Sequence, residues 1–100
     1  MRERDVEHYL VEQAETPEGL ALKFVSPGRR GLMDRIVLRP VPPEHQEIVA
    51  RYIRFTEVKR PGEGLRPLQE YWARTLTSLG FKAQLVSTPG EVDQLIGEMG

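Results

Sequence analysis

The chain has 100 residues, of which 39% are hydrophobic and 29% charged, and a net charge of −1; these values suit one soluble globular domain, spanning residues 1–100, with a single modest core. It contains no cysteine, which excludes a disulfide framework, a thiolate zinc site and a cysteine nucleophile, and which suits a reducing cytoplasm. No apolar run approaches the roughly 20 residues of a membrane span, and the acidic N-terminus resembles neither a signal nor a transit peptide.

Charge is distributed unevenly. Ten of the 14 Lys and Arg, but five of the 15 Asp and Glu, fall within residues 21–66, so this middle stretch carries +5 and the remainder −6. A basic face backed by an acidic one suits a polyanion approached in one orientation.

Residues 2–15 predict an amphipathic helix, with Val6, Leu10 and Ala14 at four-residue spacing and Tyr9 beside them. Glu7 falls on the border of that stripe, and Thr16-Pro17-Glu18-Gly19 ends the helix. Residues 20–25 predict a short strand whose core side chains are Leu22 and Phe24, with Lys23 on the opposite face. Pro27, Gly28 and Gly31 make 26–31 a loop, and its paired Arg29 and Arg30 suit either phosphate contact or plain surface charge. Residues 32–39 form a second strand stopped by Pro40, with Asp34 at one end of an inward row that continues through Ile36 and Leu38. In the connection 40–51, Pro42 or Pro43 can open a short helical turn that Glu44 and Glu47 favour. His45 within it reads as a surface side chain.

Residues 52–59 are rich in aromatic and β-branched side chains and stop at Pro61-Gly62, which predicts a third strand. Glu57 and Lys59 share one face with Ile53 and Phe55, placing an acid and a base at the end of an apolar row. A carboxylate there can hold a divalent cation, and an ammonium two residues on can position a water or offset phosphate charge. The bare Glu-X-Lys pattern equally describes a solvated strand end. An antiparallel hairpin joining 34–39 to 52–59 would bring Asp34 near Glu57.

Pro67 opens the longest helix, 67–79, and Gly80 stops it. Its expected buried stripe is Leu68, Trp72, Leu76 and Leu79, and Gln69 in the first turn faces the preceding loop, within reach of the strand. Residues 81–86 form a fourth strand, after which Thr88-Pro89-Gly90-Glu91 is a capping box and Val92, Leu95, Ile96 and Met99 give a last helix its apolar face. The order helix, three strands, helix, strand, helix implies an α/β layer fold, its last strand returning through the 67–79 crossover parallel to its neighbour.

Glu7-His8-Tyr9-Leu10, Leu22-Lys23-Phe24-Val25-Ser26-Pro27-Gly28-Arg29-Arg30-Gly31, Asp34-Arg35, Glu57-Val58-Lys59 and Pro67-Leu68-Gln69 together resemble the VRR-NUC domain, a branch of the PD-(D/E)XK nuclease superfamily. The resemblance implies a restriction-endonuclease-like core with a mixed four-stranded sheet and a Mg2+- or Mn2+-dependent phosphodiesterase acting on DNA. Asp34 and Glu57 would ligate the metal with the Val58 carbonyl, and Lys59 would orient the attacking water. Glu7 would complete the acidic cluster through a water, and Gln69 would hold the site from its helix. Lys23, Arg29, Arg30 and Arg35 would contact the phosphate backbone. The family usually carries proline immediately before the aspartate; Met33 stands there, which implies altered loop rigidity rather than lost catalysis. Stand-alone relatives occur in phages and bacteria and act on Holliday junctions as dimers, which implies branched DNA, a homodimer and the cytoplasm of a bacterial or phage-infected cell. Tyr9, Val41 and Ile48 are candidate interface residues. The rival reading is a non-catalytic DNA-binding or assembly module that retains the nuclease fold, against which stands the retention of two carboxylates that would repel DNA.

Overall fold

A computed structural model describes residues 1–25 and 28–100, in the order α1 (Glu3–Ala14), β1 (Leu20–Lys23), β2 (Arg35–Leu38), α2 (Pro43–Val49), β3 (Phe55–Val58), α3 (Pro67–Ser78), β4 (Ala83–Val86) and α4 (Pro89–Met99). The expected loop at Ser26 and Pro27 lies outside the described residues. The chain is mixed α/β and divides into two units, Met1–Pro40 and Val41–Gly100.

In the first unit, the Asp5 carboxylate accepts the Arg2 backbone N–H at 3.3 Å and satisfies one orphan donor at the start of α1. At the other end, Arg39 Nη1 donates to the carbonyls of Ala14 at 2.7 Å and Thr16 at 3.0 Å, so a cation from beyond β2 closes the helix terminus. The two strands pair antiparallel with Leu20 opposite Leu38 and Lys23 opposite Arg35. The ladder runs one pair further, since the Phe24 N–H donates to the Asp34 carbonyl at 2.9 Å.

Two expectations change here. Helix α1 presents Glu7, Val11 and Ala14 inward, while Val6 is 54% exposed and Leu10 38%. The inward stripe is rotated by about one residue, because Glu7 has an ionic partner on β2. On β1 the buried side chain is Ala21, and Phe24, expected in the core, is 43% exposed at the last pair of the ladder.

The second unit is built on a parallel pair. β3 and β4 run side by side with Phe55 opposite Ala83 and Val58 opposite Val86, joined by the α3 crossover as expected. β2 pairs with β1 and β3 with β4, giving two two-stranded sheets in place of the expected four-stranded one, and no ladder joins β2 to β3 among the described residues. The connection between them folds as helix α2, opened by Pro43 as expected, so nothing local enforces a hairpin register. Val41, an expected surface contact, is half-buried, and its N–H donates to the Leu79 carbonyl at 2.8 Å.

Buried Phe81 meets Phe55 edge to face at 5.8 Å, and Leu76, Leu79, Val86 and Leu95 complete the core of this unit with Ala50. On α3 the inward residues are Gln69, Ala73 and Leu76, whereas Leu68 is 68% exposed and Trp72 37%. On α4 Leu95 is buried, but Ile96 is 59% exposed. Helix α4 begins as the sequence implies: Thr88 Oγ1 accepts the Glu91 N–H at 3.1 Å, and Glu91 reaches back to the Ser87 N–H at 2.6 Å.

Arg54, immediately before β3, has a side chain only 6% exposed. Its Nε donates to the Ala50 carbonyl at 2.6 Å, and its Nη1 to Gln84 at 2.9 Å and Glu98 at 3.1 Å. The Arg54 hydrogen bond holds the Glu98 carboxyl below its ordinary value of 4.5, against an opposing push from desolvation. A depressed folded-state value means stability that is present above the unfolded value and lost as pH falls through the folded one. The Glu98→Gln chain is therefore expected to be less stable than wild type at about pH 7, with the gap closing at about pH 3. Urea unfolding at the two pH values measures this, and an equal gap at both would remove the ionic contribution.

Helix α3 stops at Gly80, whose φ is +97°. The Phe81 N–H donates to the Leu76 carbonyl at 3.1 Å and the Gly80 N–H to that of Thr77 at 2.9 Å, the paired bonds of a Schellman stop. A Cβ at Gly80 would also stand 2.6 Å from the Val41 carbonyl oxygen, whereas Gly62, with φ +89°, has open space around it. Gly80→Ala should cost roughly 2–3 kcal/mol and Gly62→Ala about 1 kcal/mol in denaturant unfolding. Equal costs would show that the Val41 contact adds nothing to the backbone term.

Candidate functional site

Burial alternates along β3: Phe55, Glu57 and Lys59 are half-buried, while Thr56 and Val58 are exposed. Glu57 and Lys59 therefore share the face that looks toward α3. Because Pro67 opens α3, Gln69 falls at its third position, where a side chain can turn back to the cap. Its Oε1 accepts the Arg66 backbone N–H at 2.9 Å, and its Nε2 donates to Glu57 Oε1 at 2.9 Å. An N–H needs an acceptor and a carboxylate needs a donor, so the two partners fix the amide in one orientation.

Among the described residues no other hydrogen bond reaches Glu57, which leaves its second oxygen as a hard donor. The Lys59 backbone N–H donates to the Val86 carbonyl at 3.0 Å, and the ammonium makes no ion pair among the described residues. Val58 turns its side chain outward, 73% exposed. Beside Glu57 lies a cavity of about 310 Å³, walled by Phe55, Leu65, Gln69, Trp72 and Ala73 among others.

The first unit carries the remaining expected residues. Glu7, Lys23, Arg29, Asp34 and Arg35 all line one open cleft of about 1030 Å³, and Arg30 is exposed on the same turn as Arg29. Asp34 is exposed just ahead of β2. Arg35, expected to touch phosphate, is 18% exposed; its Nε donates to Glu7 at 2.8 Å and its Nη1 to the Ala21 carbonyl at 3.0 Å. Its charge is already matched by Glu7, whereas its cross-strand partner Lys23 is exposed. His45 is exposed on α2, as the sequence suggests.

Carboxylates at Asp34, Glu57 and Glu7 and a backbone carbonyl at Val58 are oxygen donors of the kind Mg2+ and Mn2+ take, so the donor chemistry fits such an ion. Among the described residues no three His, Cys, Asp or Glu side chains gather as a metal-holding group. Among the described residues, too, no helix is long and apolar enough to cross a membrane. Sequence reasoning missed Arg54, which pins the entry to β3, and it placed Trp72 in the core rather than beside Glu57. The one available signal for Arg54 was a charge set between apolar Ile53 and Phe55.

No family model matches the chain, and no solved structure does. The protein named "Putative nuclease p44" of Acyrthosiphon pisum secondary endosymbiont phage 1 is 40% identical over 82 residues, covering 82% of this chain and 78% of that one. Likeness of that degree over that span makes the chain a member of the family that includes the phage protein "Putative nuclease p44".

Proposed function

We propose that this chain is a Mg2+- or Mn2+-dependent endodeoxyribonuclease of the VRR-NUC type, with the restriction-endonuclease-like core of the PD-(D/E)XK superfamily, and that it cuts branched DNA in a bacterial or phage-infected cell. The observation that carries the reading is the Glu57 carboxylate, aimed by Gln69 and sharing a half-buried face with Lys59, in a relative of a protein named as a nuclease.

In this reading Asp34, Glu57 and the Val58 carbonyl would hold the cation, and Glu7 would complete the acidic cluster. Such a cation, when bound, polarises the phosphoryl oxygen and offsets charge that builds up in the transition state. Lys59 orients the attacking water and offsets the same charge from the protein side. Gln69 keeps Glu57 in one rotamer, so no reorganisation accompanies the reaction. Lys23, Arg29, Arg30 and Arg35 meet the DNA backbone, with Arg35 exchanging its Glu7 partner for phosphate. The site works as a phosphodiester hydrolase because its fixed groups suit the transition state more than the bound diester.

Nicking of a branched DNA in Mg2+, in Mn2+ and in EDTA tests the reading directly. Glu57→Gln and Asp34→Asn should abolish cleavage while gel-shift affinity stays equal or tightens, because each removes a ligand and some repulsion. Lys59→Ala should lower the rate by about 100-fold or more at unchanged metal affinity by calorimetry. Substantial Mg2+-dependent nicking by both carboxylate variants would sink this site, and binding without any cleavage by wild type would leave a DNA-binding module.

A four-way junction is a pseudo-two-fold object that needs two symmetric nicks, and two-fold homodimers are the commonest closed oligomers. The reading therefore includes a homodimer, for which Tyr9 and Ile48, 63% and 55% exposed, are candidate contacts. Mixed dimers with one Glu57→Gln subunit should nick one strand of a junction and fail to resolve it. Sedimentation showing only monomer on junction DNA, with resolution intact, would overturn the dimer.

A further inference from the structure

We propose that Trp72 is a stacking platform for a single unpaired DNA base beside Glu57, so that the strand is cut next to a nucleotide held outside a base pair. The inference rests on the nuclease reading and adds to it the kind of nucleotide the site accepts.

Three observations carry it. Trp72 lies at helical spacing for the core, yet 37% of it is exposed and it walls the same cavity as Glu57 and Gln69. Its ring is braced edge-on by Tyr71, with centroids 5.3 Å apart and planes at 81°, so it offers a flat surface already held in place. The cavity of about 310 Å³ has one charged residue in its lining, Glu57, against apolar walls at Phe55, Leu65 and Ala73.

Size and charge together select the occupant. The volume stands at the lower end of the roughly 300–1,000 Å³ typical of small-molecule sites, which suits a single ring system. A lining that is apolar or neutral apart from Glu57 accepts a neutral ring in preference to a charged group. A nucleobase satisfies both conditions: its sugar-phosphate stays outside, near Glu57 and Lys59, while the base leaves the solvent against Trp72. Stacking of this kind tolerates any base, since each has a π-face.

Trp72 is the sole tryptophan of the chain, so its fluorescence reports the event without a label. The wild-type protein is titrated in EDTA, where no cleavage occurs, with a single-stranded thymidine oligonucleotide, with an abasic strand of equal length, and with a blunt duplex. Quenching is expected with the thymidine strand and not with the other two. Trp72→Leu, checked for folding by circular dichroism, should weaken single-strand binding by about 5- to 150-fold and leave duplex binding unchanged. Trp72→Phe should retain most of the affinity, because it keeps a stacking ring. Equal quenching by the abasic strand or the duplex overturns the proposal, and so does a Phe variant as weak as the Leu variant. A chain that nicks DNA but shows no quenching loses the stacking site alone, and one that quenches but never nicks loses the nuclease reading alone.

Discussion

The Arg54 guanidinium is the contact on which the second unit depends. Its acceptors come from the end of α2, from β4 and from α4, and it stands one residue before β3. Carbonyls at a helix terminus carry partial negative charge, and a planar cation with several donors can serve them and a carboxylate at once. A buried charge is tolerated only when so fully partnered. Because the chain enters β3 directly from this anchor, the faces of β3 are set there, and Glu57 inherits its direction three residues later.

The β3–β4 pair is held by side chains from two helices. Gln84 lies opposite Thr56 and is tied through Arg54 to α4, while Glu57, one residue along, is tied to α3.

Much of this was legible in local sequence. Proline at the start and glycine at the end delimit α3, Thr88 with Glu91 delimits α4, and a crossover of that length dictates the parallel pairing of β3 and β4. Period-2 alternation also placed Glu57 and Lys59 on one face. Rotation about a helix axis was less accessible. One residue turns a helix by about 100°, so exchanging Leu68 for Gln69 on the inner face of α3 requires knowing that a carboxylate waits there. Hydrophobicity points the other way. Arg35 and Arg54 were opaque for a related reason, since their partners lie 28 and 44 residues distant and leave no periodic trace. The pairing of β2 with β3 was not legible, because a connection that forms its own helix transmits no pairing information.

The Gln69 clamp has a consequence for the charge that Glu57 keeps. An arginine or lysine at that position would orient Glu57 equally well, but it would also cancel the carboxylate's charge and compete with any cation for it. A carboxamide aligns the acid and leaves its full negative charge available. Being neutral, it is neither titrated nor weakened by salt as an ion pair is. Position 69 thus separates holding a carboxylate from neutralising it, and among natural side chains of that length only glutamine, with a donor and an acceptor on one amide, can also close the helix behind it.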